Sequence, residues 1–471
     1  MGEVRQIQGA DPEKAWFFGL FLLALSLRLA CFTGIIASDD LGYSGYAQLI
    51  AEGRYFLGSH DLAAGSGLIF PHFAIRYGLI LPVGLIYALF GVNEWSTIAF
   101  PLFASSLSAV LLALIGARLF SLRVGLIAGL LYATFPVELR YATVLVPEPV
   151  AEFYVLLAML IHVRTENRAP VALGALAGAC LGIAYLTKEP ALFIAPALFI
   201  DAALRRRWQQ AFGFLAGIGA IIVCEHAYYL VTSGDLLFRL HALAVHNKLS
   251  DPNASKVIFD LGYRLFKLYP RMMLVPDTNF GLHSLATLIL AAVAFWRFRK
   301  DRRTYFLLAW ASLPWIFLNF GSTSFERYIV IPSAPRYIVF VYPPLFLLAA
   351  WLFADSVSRN IWAKRAGLSF MVAILLVGVV CGLSTRGTGY RTYQVAGLRV
   401  IAAKIEREAL GCVRIDINPG QQSTSPHTLE AWQRTLAILS GGKVRECDGG
   451  SGAVIIRKDP LGFPYVASSQ P

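Results

Sequence analysis

Two adjacent carboxylic acids, Asp39 and Asp40, follow an apolar run of the sequence by a few residues. The stretch around them, FTGIIASDDLGYSGYAQLIAEGRY (32–55), changes from apolar to polar at this point. A carboxylate can accept the proton of an attacking hydroxyl group, and general-base catalysis of this kind contributes about 10²- to 10⁴-fold to a rate. The pair therefore predicts acid–base chemistry at the end of a hydrophobic segment.

Other ionisable side chains recur where apolar runs begin or end. They are Arg76, Glu148, Lys188, Glu189, Arg327 and Arg336. Arginine and lysine can bind a phosphate and stabilise it as a leaving group, and ionisable groups at membrane depth indicate a functional site. A single basic residue at the end of a span often only extends to the headgroups. Only the convergence of the set on one face supports a site.

The composition predicts a polytopic membrane protein. Of 471 residues, 57% are hydrophobic and 15% are charged, whereas soluble domains carry about 25% charged residues. The net charge is +12. Its basic clusters, such as RRRW (205–208) and RFRKDRR (297–303), lie in short gaps between apolar runs. That placement is typical of cytoplasmic turns and argues against a nucleic-acid partner.

The loops and runs together predict an all-α transmembrane domain over residues 1–384, with outer loops at 37–95 and 232–280. The short apolar run 78–91, which contains Pro82, is interpreted as a juxtamembrane helix on the outer face, because every basic cluster then lies inside. About eleven spans of about 20 residues each remain. They are predicted at 15–36, 96–117, 124–141, 149–163, 170–186, 190–204, 208–231, 281–297, 303–320, 337–354 and 366–384.

The polar C-terminal region, 385–471, predicts a small soluble α/β domain. Helical periodicity occurs in AGLRVIAAKIEREAL and TLEAWQRTLAIL, whereas CVRIDIN and AVIIRK have the pattern of strands. Cys412 and Cys447 lie in this region. They would pair in an oxidising compartment, and two unpaired thiols are an equal alternative.

The chain resembles the membrane-embedded glycosyltransferases of the GT-C fold, nearest the protein mannosyltransferases and the bacterial lipid A aminoarabinose transferases. The resemblance extends over residues 15–355 and rests on the order and spacing of several motifs. They are SDDLGYSGYAQLIAEGRY (38–55), IRYGLILPVGLIYALFGVNEWS (75–96), FPVELRYATVLVPEP (135–149), GACLGIAYLTKEPALFI (178–194) and PRYIVFVYPPLFLLAA (335–350).

The resemblance implies a role for each motif. Asp39 corresponds to the general base that activates the acceptor hydroxyl, and Asp40 would support it or contact the acceptor. Many relatives have a Lys-Pro-Pro segment where this chain has Arg76 in RYG. The residues implied to bind the donor phosphate are Arg76, Lys188, Arg327 and Arg336. The second acidic motif, implied to contact the acceptor, comprises Glu148 and Glu189.

The implied reaction transfers a sugar, with inversion, from a polyprenyl-phosphate donor to a hydroxyl group of a glycan, lipid or protein. We expect it in a bacterial inner membrane, with the active site and the C-terminal domain in the periplasm. No metal is expected to be required, because basic residues are available for a monophosphate. The alternative is Mg²⁺ or Mn²⁺ bound by Asp39 and Glu148, since these ions prefer oxygen ligands.

Three other functions fit parts of the same pattern. A transporter or flippase of lipid-linked sugars would also have many spans and buried charges, but internal repeats are typical of transporters and none is evident. A non-catalytic scaffold for envelope assembly would tolerate replacement of Asp39 and Arg76. A hydrolase of lipid-linked sugars would use the same residues.

Overall fold

The computed structural model describes residues 12–55, 71–165, 170–243, 269–274, 281–322, 328, 331, 334–357, 361–384, 390–407, 412–415, 426–441, 445–446, 454–458 and 464–469. Arg327 and Cys447 lie outside this set, as does the side chain of Cys412. Residues 56–70 and 244–268 of the two predicted outer loops also lie outside it.

The described residues are mostly helical. The α-helices are α1 Pro12–Ala30, α2 Asp39–Ala51, α3 Pro71–Ala74, α4 Tyr77–Phe90, α5 Glu94–Leu119, α6 Leu122–Ala133, α7 Pro136–Tyr141, α8 Pro147–Arg164, α9 Pro170–Thr187, α10 Ala195–Leu204, α11 Trp208–Ser233, α12 Tyr269–Leu274, α13 Gly281–Arg297, α14 Arg302–Phe320, α15 Tyr342–Val357, α16 Ile361–Ser384, α17 Tyr390–Arg407 and α18 Pro426–Leu439. Two 3₁₀ helices, Glu189–Ile194 and Pro335–Phe340, precede α10 and α15.

The helices are those of a multi-pass membrane protein. By length and composition, four described helices or parts of helices can cross a membrane, at Glu94–Leu119, Pro170–Thr187, Trp208–Ser233 and Lys364–Ser384. Further apolar helices are shorter, and they include Tyr77–Phe90, the predicted juxtamembrane helix. The predicted number of crossings and the side of the membrane stay predictions.

Several predicted spans are interrupted, which corrects their boundaries. The first helix ends at Ala30 rather than near Ile36, and the span expected at 124–141 is divided into α6 and α7. The breaks after Thr187 and before α15 take the form of 3₁₀ helices. Prolines stand at the first or second position of the new segments, where their missing N–H group is tolerated.

Glycines allow α9 and α11 to pack closely. A Cβ atom at Gly178 would lie 2.0 Å from the carbonyl oxygen of Phe214, and one at Gly217 would lie 2.0 Å from that of Ala175. Small residues four apart let two helix backbones approach in this way. The contact fixes the direction of α9, whose C-terminal end carries the Thr-Lys-Glu turn of the candidate site.

The C-terminal described residues combine α17 and α18 with a four-stranded sheet of order β2-β1-β3-β4. The strands are β1 Cys412–Ile415, β2 Arg445–Glu446, β3 Val454–Lys458 and β4 Pro464–Ser469. Strand β1 is parallel to both β2 and β3, whereas β4 is antiparallel to β3. Trp432, Leu436 and Leu398 belong to a hydrophobic cluster that joins the two helices. That residues 385–471 form an independent domain stays a prediction.

Candidate active site

Asp39 is the first residue of α2, and its side chain is partly exposed. The segment before it, 32–38, is irregular, so the carboxylate is carried on the end of a helix. Arg336 donates a hydrogen bond from Nη2 to Oδ2 of Asp39 over 2.7 Å. The side chain of Asp39 retains 39% of its exposure, so a hydroxyl group can approach the carboxylate.

Asp40 has a different environment, because neighbouring residues of a helix point about 100° apart. It is 1% exposed, and its oxygens accept hydrogen bonds from the backbone N–H groups of Ser38 at 2.5 Å and Ile36 at 2.7 Å. Burial raises the pKa of Asp40 to about 6, although these backbone hydrogen bonds oppose the rise. Ala37 lies between them with φ of 53°, a left-handed conformation that costs energy in a non-glycine residue. Asp40 therefore holds a strained turn in place.

Arg336 and Lys188 converge on the buried carboxylate of Glu148. Nε of Arg336 lies 3.2 Å from Oε1 of Glu148, and Nζ of Lys188 lies 3.3 Å from the same oxygen. The ring of Tyr337 packs beneath, with its centroid 4.7 Å from Nζ of Lys188. Burial alone would raise the pKa of Glu148, but Arg336 and Lys188 lower it below its ordinary value. The arrangement keeps two cations at Glu148, and one of them, Arg336, also contacts Asp39.

A second ionic group centres on Glu189, the residue after Lys188. Oε1 of Glu189 accepts hydrogen bonds from Nη1 of Arg76 at 2.5 Å and from Nη1 of Arg239 at 2.8 Å. Burial would raise the pKa of Glu189, but Arg76 and Arg239 lower it to about 2. Arg239 also contacts Glu225, with 2.7 Å between Nε and Oε1, and donates to the carbonyl oxygen of Ile75.

The two groups form one continuous cluster, because Lys188 and Glu189 are consecutive. Tyr43, buried on α2, is close enough to Lys188, Arg76 and Asp39 for all three to affect its pKa, which burial raises above its ordinary value. Among the described residues, the cations of the cluster are Arg76, Lys188, Arg239 and Arg336. Its carboxylates are Asp39, Glu148, Glu189 and Glu225.

Two members of the cluster, Arg239 and Glu225, were absent from the sequence-based prediction. Glu225 lies in IIVCEHAYY, inside a predicted span, and a lone acid there is a sequence signal of a site. Arg239 lies in a predicted outer loop and carries no such signal. Arg327, which was predicted to bind phosphate, lies outside the described residues.

The carboxylates do not form a metal site in this arrangement. Asp39 and Glu148, the predicted alternative ligands, both face the guanidinium group of Arg336. A cation that bridged them would have to displace Arg336. No group of three or more His, Cys, Asp or Glu residues that could hold a metal occurs in the described part of the chain.

Comparison with known structures identifies the fold. ArnT from Cupriavidus metallidurans in the apo state superposes with a TM-score of 0.59 over 95% of this chain and 94% of that chain, at 14% sequence identity. This chain has the GT-C fold. The undecaprenyl-phosphate-bound ArnT structure matches this GT-C chain with a TM-score of 0.57 at 15% identity, over 95% of this chain and 93% of that one.

A second solved protein and a sequence family are also similar to this chain. The oligosaccharyltransferase AglB from Archaeoglobus fulgidus, in complex with an inhibitory peptide and a dolichol-phosphate, gives a TM-score of 0.51 at 12% identity. It covers 92% of this chain, which spans 65% of that chain. A sequence model of the dolichyl-phosphate-mannose-protein mannosyltransferase family matches residues 82–229 of this GT-C chain. Comparison with curated proteins gives no match.

Proposed function

We propose that this GT-C chain is a glycosyltransferase that moves a sugar from a polyprenyl-phosphate donor to a hydroxyl group of an envelope glycan, lipid or protein. The observation that carries the proposal is the placement of one accessible carboxylate, Asp39, beside Arg336. Arg336 in turn lies with Lys188 at the buried carboxylate of Glu148. The solved relatives support the donor class, because one holds undecaprenyl phosphate and another holds a dolichol-phosphate.

The reaction needs one base and a bound leaving group. Asp39 accepts the proton of the acceptor hydroxyl while its oxygen attacks the anomeric carbon of the sugar. The bond between that carbon and the phosphate oxygen breaks, and the phosphate leaves with the electron pair. Because attack and departure occur on opposite faces in one displacement, the configuration at the anomeric carbon inverts. No acid is needed for departure, since a phosphate is already a good leaving group.

The basic residues hold the donor phosphate in this proposal. Lys188, Arg336 and Arg76 each approach a carboxylate in the structure, and charge-assisted hydrogen bonds to phosphate are of comparable strength. Arg336 contacts Asp39 directly and shares Glu148 with Lys188, so these two cations would contact the phosphate beside the base. Arg76 belongs to the neighbouring ionic group, where it pairs with Glu189.

The acids Glu148 and Glu189 act by orienting these cations. Each accepts contacts from two basic side chains, which fixes the position of the cations before the donor arrives. Preorganised charges of this kind stabilise a developing negative charge without rearrangement. Because basic side chains are available to bind a monophosphate, we expect the reaction to need no divalent metal. We place the reaction at the periplasmic face of a bacterial inner membrane, from the positions of the basic turns.

A transfer assay tests the proposal. Purified protein in detergent is mixed with a panel of polyprenyl-phosphate sugars and with an envelope extract as acceptor. The proposal predicts consumption of one donor, release of polyprenyl phosphate and a product whose anomeric configuration is inverted. Release of free sugar without an acceptor product would show a hydrolase. Binding of a donor without cleavage, together with its movement across the bilayer in proteoliposomes, would show a transporter. Either result would contradict the proposal.

A further inference from the structure

The backbone just before the acidic pair is attached to the C-terminal region. Glu94, the first residue of α5, accepts a hydrogen bond from the N–H group of Ile35 at 3.1 Å. Arg399 of α17 donates from Nη1 and Nη2 to the two carboxylate oxygens of Glu94, which gives a bidentate pair. The same guanidinium faces the ring of Phe32 at 5.9 Å.

A second helix of the C-terminal region holds the backbone on the other side of Asp39. Ile438 of α18 is buried in a hydrophobic cluster with Ile35 and Leu41. Nη1 of Arg434, also on α18, occupies the space that a Cβ atom at Gly45 would need. Since α17 and α18 share their own hydrophobic cluster, these contacts act as one unit.

Asp39 therefore lies on a short segment that is held at both ends. At one end, Glu94, which is paired with Arg399, accepts the hydrogen bond of the Ile35 N–H group. At the other end, Ile438 packs in a hydrophobic cluster with Leu41. Between them the turn includes Ala37 in its left-handed conformation. Such backbone strain persists only when surrounding contacts determine the conformation. The hydrogen bonds of Asp40 supply part of that constraint, and the C-terminal helices supply the rest.

We infer that Arg399, acting through Glu94, is a positioning residue for the catalytic carboxylate, and that α17 and α18 complete the active site. The inference rests on the proposed function of Asp39. The side chain of Arg399 keeps 34% of its exposure and that of Glu94 keeps 13%, so water reaches the guanidinium group and the pair contributes less to global stability than a fully buried pair would. Its effect on rate is larger, because a displacement of about 1 Å in a reacting group can reduce a rate by about 10²-fold.

The experiment compares Arg399→Ala, Arg399→Lys and Arg407→Ala in the full-length protein. Arg407 is an exposed residue on the same helix and serves as the matched control. We expect Arg399→Ala to lower kcat by about 10- to 100-fold while the Kd for the donor and the melting temperature change little. Arg399→Lys, which keeps the charge but not the two-pronged geometry, should give an intermediate kcat. Arg407→Ala should match the wild type.

Three outcomes would overturn the inference. Arg399→Ala could keep the kcat of Arg407→Ala, or it could lose donor affinity together with kcat, which would indicate a general structural role. If Arg399→Ala fails to fold, a wild-type kcat in Arg399→Lys would also contradict the inference. Failure of the proposed function is distinguishable, because the wild-type protein would then transfer no sugar and Asp39→Asn would have no effect.

Discussion

Arg336 and Asp39 are separated by 297 positions in the chain, yet Nη2 of Arg336 donates to Oδ2 of Asp39 over 2.7 Å. The same guanidinium lies beside Glu148. Arg336 thus connects the proposed base with the proposed phosphate site. A donor phosphate that engages Arg336 would compete with Asp39 for it and leave the base freer to accept a proton.

Replacing Lys188 tests the phosphate site. Lys188→Met removes the ammonium group beside Glu148 while keeping much of the length of the side chain. Hydrogen bonds to charged groups contribute about 1.5–3 kcal/mol, so donor affinity should fall by about 10- to 100-fold. Titration with a short-chain polyprenyl phosphate measures this loss. Lys364→Met, in an exposed position on α16, is the control, and equal affinities in the two variants would contradict the assignment.

Arg76 and Arg239 both contact Glu189, so we expect the stability losses caused by replacing these residues to be coupled. Glu189→Gln leaves the charges of Arg76 and Arg239 without their shared carboxylate, and breaking a buried ion pair costs about 3–5 kcal/mol. Arg239→Met should also destabilise the protein, but the double variant should lose less than the sum of the single losses. Thermal unfolding in detergent measures each value, and strictly additive losses would contradict the coupling.

The low pKa of Glu189 adds a pH dependence to that stability. Because its folded pKa, about 2, lies below the ordinary value of 4.5, the stabilisation is present above about pH 4.5 and disappears as the pH falls toward 2. Glu189→Gln should therefore differ most from the wild type near neutral pH and least in strong acid. A difference that stays constant from pH 7 to pH 3 would argue against an ionised Glu189.

The raised pKa of Asp40 predicts that activity, rather than stability, falls at low pH. Its folded pKa, about 6, lies above the ordinary value of 3.8, so between these values the folded protein binds more protons and its stability falls as the pH rises. Protonation turns one carboxyl oxygen into a donor and weakens the turn before Asp39. We expect kcat to fall below about pH 6 without a fall in melting temperature. In Asp40→Asn, kcat should be lower than in the wild type and should no longer fall below about pH 6. If kcat of Asp40→Asn still fell below pH 6 as in the wild type, Asp40 would not be the group that titrates.

The glycine contact between α9 and α11 predicts a position-specific effect on stability. Gly217→Val places atoms against the carbonyl group of Ala175, whereas nothing lies within 4 Å of a Cβ atom at Gly219. Overpacking of this kind typically costs about 1–3 kcal/mol. Gly217→Val should lower the melting temperature clearly, and Gly219→Val should not. Equal melting temperatures would show that the helices do not pack as described.

The sequence predicts the class of fold well, because long apolar runs and short basic turns depend only on local composition. It predicts helix breaks less well. Pro136, Pro190 and Pro335 are visible in the sequence. The predicted span 124–141 nevertheless runs through Pro136, and the predicted span 190–204 begins at Pro190. Hydropathy alone does not distinguish a continuous span from two shorter helices.

The candidate site is predictable only in part. The resemblance to known glycosyltransferases singles out Asp39, Lys188 and Arg336, which the structure brings together. The contact of Arg239 with Glu225 depends on how the segment after α11 folds back, which no local pattern encodes. The different environments of Asp39 and Asp40 depend on the rotation of α2 about its axis, which is fixed by packing against the rest of the protein.

Replacement of Asp39 by asparagine tests whether Asp39 is the base. Single-turnover transfer from preloaded donor is measured in Asp39→Asn and in Asp235→Asn, a similarly exposed aspartate paired with His241. We expect Asp39→Asn to lose on the order of 10²- to 10⁴-fold in rate while it binds the donor at least as tightly, because Arg336 is released for the phosphate. Asp235→Asn should keep the wild-type rate. Equal rates in the two variants would show that Asp39 is not the base.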